Sequence, residues 1–169
     1  MMTYNADSPL LLAGATKTLT MITAVGAGVA GGVFFAFSTF VMPALHRLPK
    51  PQGMAAMQSI NKAAPNPLFM AVLFGTFVLG VVVAVSGLRH RGPATPWLVA
   101  GAAAYLVQIV LTVAYHVPRN NALALLDPAA SGSVAAWQHY YTGWTLLNHV
   151  RTIVSIAASA CFVVALRAD

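Results

Sequence analysis

The sequence predicts an all-α integral membrane protein, a four-helix bundle with short interfacial helices between spans 1 and 2 and between spans 3 and 4. Hydrophobic residues make up 59% of the 169 residues and charged residues only 7%, whereas average soluble domains carry roughly 25% charged residues. Four continuous apolar runs also reach about the 20 residues that a helix needs to cross the hydrocarbon core. Because these runs do not alternate between polar and apolar residues, a β-barrel is excluded.

The four predicted spans form one membrane domain over residues 1–169, because the chain leaves no room for a second soluble domain. They lie at about residues 19–45, 68–88, 97–117 and 145–166. The first run is longer than the roughly 7–15 apolar residues of a cleavable signal peptide, so we interpret it as a retained span. The segment Arg89-His90-Arg91-Gly92-Pro93 predicts a tight polar turn between spans 2 and 3.

The two longer connections predict short helices at the membrane surface. Residues 53–64 place Met54 and Met57 on one side of a helix, a pattern typical of an amphipathic helix. Residues 119–126 and 133–141 predict two further short helices. Aromatic residues of the kind found at membrane–water interfaces cluster around the last of these segments, namely Trp137, Tyr140, Tyr141 and Trp144.

The charge pattern predicts contact with a lipid bilayer and no binding of nucleic acid. The net charge is +6, but the basic residues are scattered, mostly at span ends, where they anchor and orient membrane helices. Four spans put both termini and the Arg89–Arg91 turn on one side. Basic residues are almost equally divided between the two sides, and the compact Arg89–Arg91 cluster favours cytoplasmic termini. We therefore predict a multi-pass protein of the cell (plasma or inner) membrane.

Small residues recur at four-residue spacing in the first two spans, as Gly28-x-x-x-Gly32 and Ala71-x-x-x-Gly75. This spacing lets helix backbones approach closely. It predicts close packing within the bundle, with a homo-oligomer interface as the alternative.

Polar residues recur at helical spacing in spans 3 and 4, where their cost in lipid makes them candidates for function. One face of span 4 carries Trp144, Asn148, Arg151, Ser155 and Ser159. One face of span 3 carries Tyr105, Gln108, Thr112 and His116, with Tyr115 adjacent. Because both stripes must face protein rather than lipid, they predict a shared polar interior.

The predicted topology gathers polar side chains at one membrane face, where spans 1 and 3 end and spans 2 and 4 begin. Those that converge there are Ser38, His46, Asn61, Asn66, His116, Asn120, Asn121, Asn148, His149 and Arg151. The convergence predicts a pocket that opens between the helices at this interface.

Acidic residues are scarce, and this limits the chemistry that the pocket can perform. The chain has three acids, Asp7, Asp127 and Asp169. Arg151 is therefore expected to bind backbone carbonyls, amide side chains or an anionic ligand. Paired-carboxylate catalysis and a Ser-His-Asp set are excluded, and no phosphate-binding loop occurs.

Ligation of a metal or haem by histidines alone remains an alternative. It would use His116 together with His149, His46 or His139.

Four segments of the chain carry motifs of a known family. They are Phe37-Ser38-x-x-x-Met42-Pro43-x-Leu45, Met57-x-x-Ile60-Asn61, Val117-Pro118-x-Asn120-Asn121-Ala122-Leu123 and Trp144-x-x-x-Asn148-His149-x-Arg151-Thr152. In this order they resemble the anthrone oxygenase family of small four-helix membrane proteins. The resemblance covers nearly the whole chain, and the last motif is the most specific. The chain departs from the family pattern at His116, where asparagine is common.

The resemblance implies oxidation of an anthrone-like polycyclic phenol to a quinone, with molecular oxygen as co-substrate and no metal or other cofactor. Such chemistry needs a base, donors for anionic oxygen and a dry pocket. The catalytic candidates are His149, Arg151, Asn148 and His116. The candidates for binding the small hydrophobic aromatic substrate are Trp144, Tyr115, Asn61, Asn120, Asn121, Gln108 and Ser38.

Two other functions use the same polar pocket. One is a non-catalytic membrane subunit or a binding protein for a small hydrophobic ligand. The other is a haem or metal redox protein of the membrane.

Overall fold

The computed structural model describes residues 8–168, with side chains from residue 14 onward. The helices in chain order are α1 (Ser8–Ala36), π1 (Phe37–Val41), α2 (Met42–Arg47), α3 (Lys50–Ala63), α4 (Pro67–His90), α5 (Thr95–Leu111), π2 (Thr112–His116), α6 (Val117–Ala124) and α7 (Ser133–Ala168). The described part of the chain contains no strand. This confirms the predicted all-α class.

Four helical stretches are long and apolar enough to cross a membrane, namely Gly14–Arg47, Pro67–His90, Thr95–Ala124 and Ser133–Ala168. Helix α7 packs along α1 and α5, and α4 packs against the same two helices. The large apolar side chains that remain exposed lie on the outside of this arrangement, where lipid solvates them. The chain is a membrane protein built as a four-helix bundle.

The first and third spans each contain a π-helical turn shortly before a proline. The Met42 N–H donates to the carbonyl of Phe37, and the Val117 N–H donates to the carbonyl of Thr112, each five residues back. A proline within an α-helix removes one N–H and pushes its ring against the carbonyl four residues earlier. The wider turn lets Pro43 and Pro118 occupy the first turn of a following helix, so both spans continue towards the membrane surface.

One of the three predicted interfacial helices is confirmed as a separate element. Helix α3, Lys50–Ala63, matches the prediction for residues 53–64. The prediction for residues 133–141 is wrong, because this segment is the beginning of the continuous 36-residue helix α7. No proline interrupts it, and its buried aromatic face continues directly into the polar stripe of span 4. Residues 119–126 largely coincide with α6, which continues span 3 through π2.

Helix α3 covers the end of the bundle as a fixed roof. Its Met54 and Met57 pack into a buried cluster with Met42 and Trp137. Its Gln58 amide donates to two backbone carbonyls at the end of α6 and just after it, at 2.9 Å each. The amphipathic pattern of the sequence therefore places an apolar face on protein rather than on lipid.

The close approach of α3 to α2 depends on Gly53. A Cβ atom at this position would collide with the backbone carbonyl of Leu45, which cannot move as a side chain can. We expect Gly53→Ala to destabilise the fold by about 1–3 kcal/mol, as overpacked positions do, and to lower the thermal unfolding temperature in detergent. Gly75→Ala is the control, since no atom lies within 4 Å of the place that its new methyl group would occupy. An equal shift for both variants would contradict the prediction.

Only some of the glycines in the small-residue motifs contact another helix of the bundle. A Cβ atom at Gly28 would lie 3.3 Å from the hydroxyl of Ser159, so this glycine is in contact with α7. At Gly32 and Gly75 no atom would lie within 4 Å. The packing prediction is confirmed for Gly28 and wrong for these two, and a homo-oligomer through them stays a prediction.

Candidate functional site

A cavity of about 460 Å³ lies between the four spans, beneath α3. All four spans and α3 contribute to its wall. Its apolar lining includes Val33, Phe34, Phe37, Met57, Ile60, Phe69, Met70, Leu73 and Val117. Its polar lining consists of Asn61, Asn66, Thr112, His116, Asn120, Trp144 and Arg151. Pockets of this size and composition are typical of small-molecule sites.

Arg151 brings a cation to the cavity wall although the residue is only 5% exposed. Its Nη1 donates to Oδ1 of Asn148 at 3.3 Å, and its Cζ lies 3.7 Å from the centroid of the Phe34 ring. Its Nε is buried and has no hydrogen-bond partner. Asp127, the acid in the described part of the chain, is exposed in the α6–α7 loop. The guanidinium thus has a hydrogen bond and an aromatic contact but no carboxylate partner among these residues.

Asn148 lies behind Arg151 and connects it to the first span. The Asn148 Nδ2 donates to the Phe34 carbonyl at 2.8 Å and to the Ser38 hydroxyl at 2.9 Å. A carbonyl only accepts hydrogen bonds, so the amide orientation is fixed and Oδ1 must face Arg151. Thr152 completes the contact, with its hydroxyl 3.4 Å from that of Ser38. Asn148 and Ser38 are buried outside the cavity lining, where they position Arg151.

His116 lies on the cavity at the end of π2 and is 1% exposed. Its Nδ1 is 3.0 Å from the Leu111 carbonyl, and its Nε2 is 3.4 Å from the Trp144 carbonyl. A neutral imidazole has one N–H and can donate to only one of these two acceptors. The shorter distance favours the proton on Nδ1, which leaves Nε2 as a proton acceptor.

Asn120 connects two buried aromatic side chains to the cavity. Its Oδ1 accepts from the Tyr140 hydroxyl at 2.8 Å and from the Trp144 indole at 2.9 Å. An indole N–H only donates, so the amide oxygen must face Trp144 and the Nδ2 group points away from it. Asn61 approaches from α3, with its Nδ2 at 3.4 Å from the same Tyr140 hydroxyl.

Besides Asn148 and Ser38, four further predicted site residues do not line the cavity. His149 and Asn121 are exposed on the outside of the bundle. Tyr115, within π2, is half-buried, with the Arg119 guanidinium 5.0 Å from its ring centroid. Gln108 is buried one turn below Thr112 and accepts from its hydroxyl at 3.0 Å. The placement of His149 differs from its predicted catalytic role because the adjacent Asn148 occupies the inward face.

The structure adds participants that the motifs did not identify. The Phe34 carbonyl anchors Asn148, and the Phe34 ring stacks on Arg151. A backbone carbonyl leaves no trace in a side-chain pattern, so no sequence signal could have indicated the first contact. Tyr140 belonged to the predicted interfacial aromatic cluster. Its position four residues before Trp144 indicates a shared helix face only once both residues are placed on one continuous helix, as in α7.

The histidines do not converge. His116 lies on the cavity, His46 stacks on Tyr141 with ring centroids 4.1 Å apart, and His139 is exposed. Across the described residues, no three His, Cys, Asp or Glu side chains are grouped so that they could hold a metal ion together.

The model of the family described as anthrone oxygenase matches residues 67–161, a segment that runs from the start of α4 through most of α7. No curated protein and no solved structure matches the chain. The family match covers more than half of the chain and includes three of the four spans, together with His116, Asn120, Trp144 and Arg151 of the cavity wall. The chain therefore belongs to the anthrone oxygenase family.

Proposed function

We propose that the protein is a membrane-embedded, cofactor-independent oxygenase that converts an anthrone-like polycyclic phenol to a quinone with molecular oxygen. The observation that carries the proposal is the cavity. Its apolar walls suit a flat ring system, and its lining includes both a buried cation and a buried imidazole. Membership of the family supports the same chemistry.

The reaction needs only a base and a stabilised anion. The CH₂ group of an anthrone is weakly acidic, and removal of one proton gives an anion rich enough in electrons to reduce oxygen. One electron passes to O₂, and the resulting superoxide and carbon radical combine to form a C–O bond. Loss of the second hydrogen from that carbon, with cleavage of the O–O bond, gives a ketone. One oxygen atom remains in the quinone, and the other leaves as water with both hydrogens.

The residues of the cavity wall supply these functions. His116 accepts the ring proton at Nε2, and the imidazolium keeps its hydrogen bond from Nδ1 to the Leu111 carbonyl. Arg151 stabilises the anionic oxygen, and its effect is large because the cavity wall is mostly apolar. Trp144 and Phe37, which contact each other with ring centroids 5.9 Å apart, supply adjacent aromatic surface for the ring system.

The test is oxidation of emodin anthrone by the purified protein in detergent. Quinone formation and oxygen uptake are measured together, with isotopically labelled O₂ in a parallel reaction. We expect one O₂ consumed and one labelled atom retained per quinone, at a rate above that of the heat-denatured protein. The visible spectrum and metal content of the same sample complete the test, since a Soret band or stoichiometric metal would overturn the cofactor-independent mechanism. Tight binding of the anthrone without turnover would instead favour a binding protein.

Asn120 is expected to contribute to substrate binding through its amide Nδ2. Asn120→Asp keeps an oxygen acceptor for Tyr140 and Trp144 but removes the donor, so we expect near-normal stability and an about tenfold higher KM. Asn120→Ala leaves both aromatic donors without an acceptor and should destabilise the protein by about 1–3 kcal/mol. Thermal unfolding and KM measured on both variants separate the two effects. The exposed Asn121→Asp is the control, and a KM change of equal size there would count against the assignment.

We also propose that the protein resides in the cell (plasma or inner) membrane with cytoplasmic termini. Because Arg151 is buried in the bundle, it does not anchor a span end. The compact Arg89–Arg91 cluster favours cytoplasmic termini. A reporter fused to the C-terminus, active only in the cytoplasm, is expected to be active. Activity of a reporter that works only outside the cytoplasm would reverse the orientation.

A further inference from the structure

We propose that the cavity binds its ligand as an oxygen anion, a flat apolar molecule with one ionised hydroxyl or enol group, and that Arg151 is the counter-ion. The inference rests on the proposed function in one respect, the kind of ring system that the ligand contains. It does not depend on turnover, because it concerns the charge state of the bound molecule before oxygen reacts.

The first support is a charge without a partner. Arginine remains protonated in proteins, and the Arg151 side chain is almost fully buried. In the described part of the chain the acid is Asp127, whose Oδ1 accepts the Ala129 amide at 2.9 Å in an exposed loop. A buried charge that lacks a partner is unfavourable, and an anion in the adjacent cavity would relieve this.

The second support is that the guanidinium is held at the cavity wall. The Asn148 oxygen binds Nη1, and the Asn148 amide group is itself fixed by two acceptors of the first span. The Phe34 ring covers one face of the guanidinium. A long cationic side chain in a membrane helix can otherwise extend towards the interface, and these contacts oppose such movement. The buried Nε has no hydrogen-bond partner, which adds to the cost of burying the charge.

The third support comes from the other titratable groups that face Arg151, namely Tyr105, His116 and Tyr140. The Tyr105 hydroxyl donates to the Leu73 carbonyl at 3.1 Å, and the Tyr140 hydroxyl donates to Asn120 Oδ1 at 2.8 Å. Both phenols therefore keep their protons in hydrogen bonds to acceptors. His116 is either neutral or positively charged. None of the three supplies the missing negative charge.

The consequence is selectivity for ligands that can ionise. A fixed cation beside apolar walls stabilises the anion much more than the neutral form. An ether that lacks the ionisable hydroxyl should therefore bind about 10–100-fold more weakly than the parent compound.

The test uses 2-hydroxyanthraquinone and its 2-methoxy ether as probes in a titration of the purified protein. Neither contains the anthrone CH₂ group, so no turnover occurs. The hydroxy compound absorbs at longer wavelength when ionised, so its spectrum reports the charge state of the bound form. At a pH where the free compound is mainly neutral, we expect the bound compound to show the anion spectrum and the ether to bind about 10–100-fold more weakly. In Arg151→Gln both differences should disappear, whereas Arg119→Gln should retain them.

Binding of the hydroxy compound in its neutral form, or equal affinity for both probes, would overturn the inference. So would failure of both probes to bind the folded wild-type protein. The comparison of the two probes on the wild-type protein does not depend on any variant being folded. Asn148→Ala is a milder change than loss of the charge, and we expect it to reduce the preference for the hydroxy probe. If the protein oxidised emodin anthrone but bound the hydroxy probe in its neutral form, the proposed function would be supported and this inference overturned. If it bound the probe as an anion but did not oxidise emodin anthrone, this inference would be supported and the proposed function overturned.

Discussion

Arg151→Met is expected to lower the turnover of emodin anthrone by about 10²–10³-fold, the usual effect of losing a group that stabilises a reacting oxyanion. The same change is expected to leave the thermal unfolding temperature unchanged or higher. The reason is that a charge at the centre of a membrane helix costs about 2.5–3.5 kcal/mol on insertion scales, and Arg151 has no carboxylate partner in the described residues. Methionine keeps an apolar stem of similar reach and removes the charge.

Turnover and thermal unfolding measured in the same detergent decide this prediction. Arg119→Met is the matched control, because its guanidinium lies over Tyr115 and does not line the cavity. If Arg151→Met unfolded at a much lower temperature yet kept full turnover per folded molecule, Arg151 would be a structural residue. A loss of activity at undiminished stability is the signature of a group retained for function.

His116→Gln is expected to lower turnover by about 10²–10⁴-fold, the range for loss of a general base. Glutamine retains a side chain that can donate to the Leu111 or Trp144 carbonyl, so the fold should survive. Glutamine has no basic nitrogen, so it cannot accept a proton as a neutral imidazole can. The family resemblance allows asparagine at this position, which makes the experiment a sharp test of the base assignment.

His149→Gln is the control for this change, because it replaces the same residue type at a position outside the cavity. His149 is exposed on the outer surface of α7, so its replacement should leave turnover within about twofold, as surface changes usually do. Equal losses in the two variants would argue against a specific role for His116. Retention of full turnover in His116→Gln would assign proton removal to solvent or to the substrate itself.

The spans and the inward stripe of span 4 could be predicted from the sequence because both depend on short-range periodicity. Polar residues three or four apart in an apolar run share a helix face whatever the tertiary details. This identified Arg151 and Asn148 as inward-facing residues, and the structure places Arg151 at the cavity wall and Asn148 behind it. The same periodicity indicates that His149, next to Asn148, points about 100° away. Its predicted role relied on the motif instead of on this geometry.

The rest of the site could not be predicted because it depends on contacts between distant segments. The bond from Asn148 to the Phe34 carbonyl joins residues 114 apart in sequence. The roof over the cavity depends on Gln58, which binds the carbonyls of Leu123 and Leu126. Neither contact follows from local patterns. Helix α7 likewise continues through residues that resemble an interfacial segment, because nothing in them breaks a helix.

The two π turns have a consequence for how the chain tolerates changes of length. Each π turn contains one residue more than the corresponding turn of an α-helix. The side chains before and after it therefore keep the orientations that an uninterrupted α-helix one residue shorter would give them. Deletion of Val113 would convert π2 into an α-helix and leave His116 and Asn120 facing the cavity, although Pro118 would then strain the tighter turn. Deletion of Gly101, within the regular part of α5, would instead rotate the residues on one side of the gap by about 100° relative to the other. Family members that lack one residue in this span should therefore have lost it at the π turn.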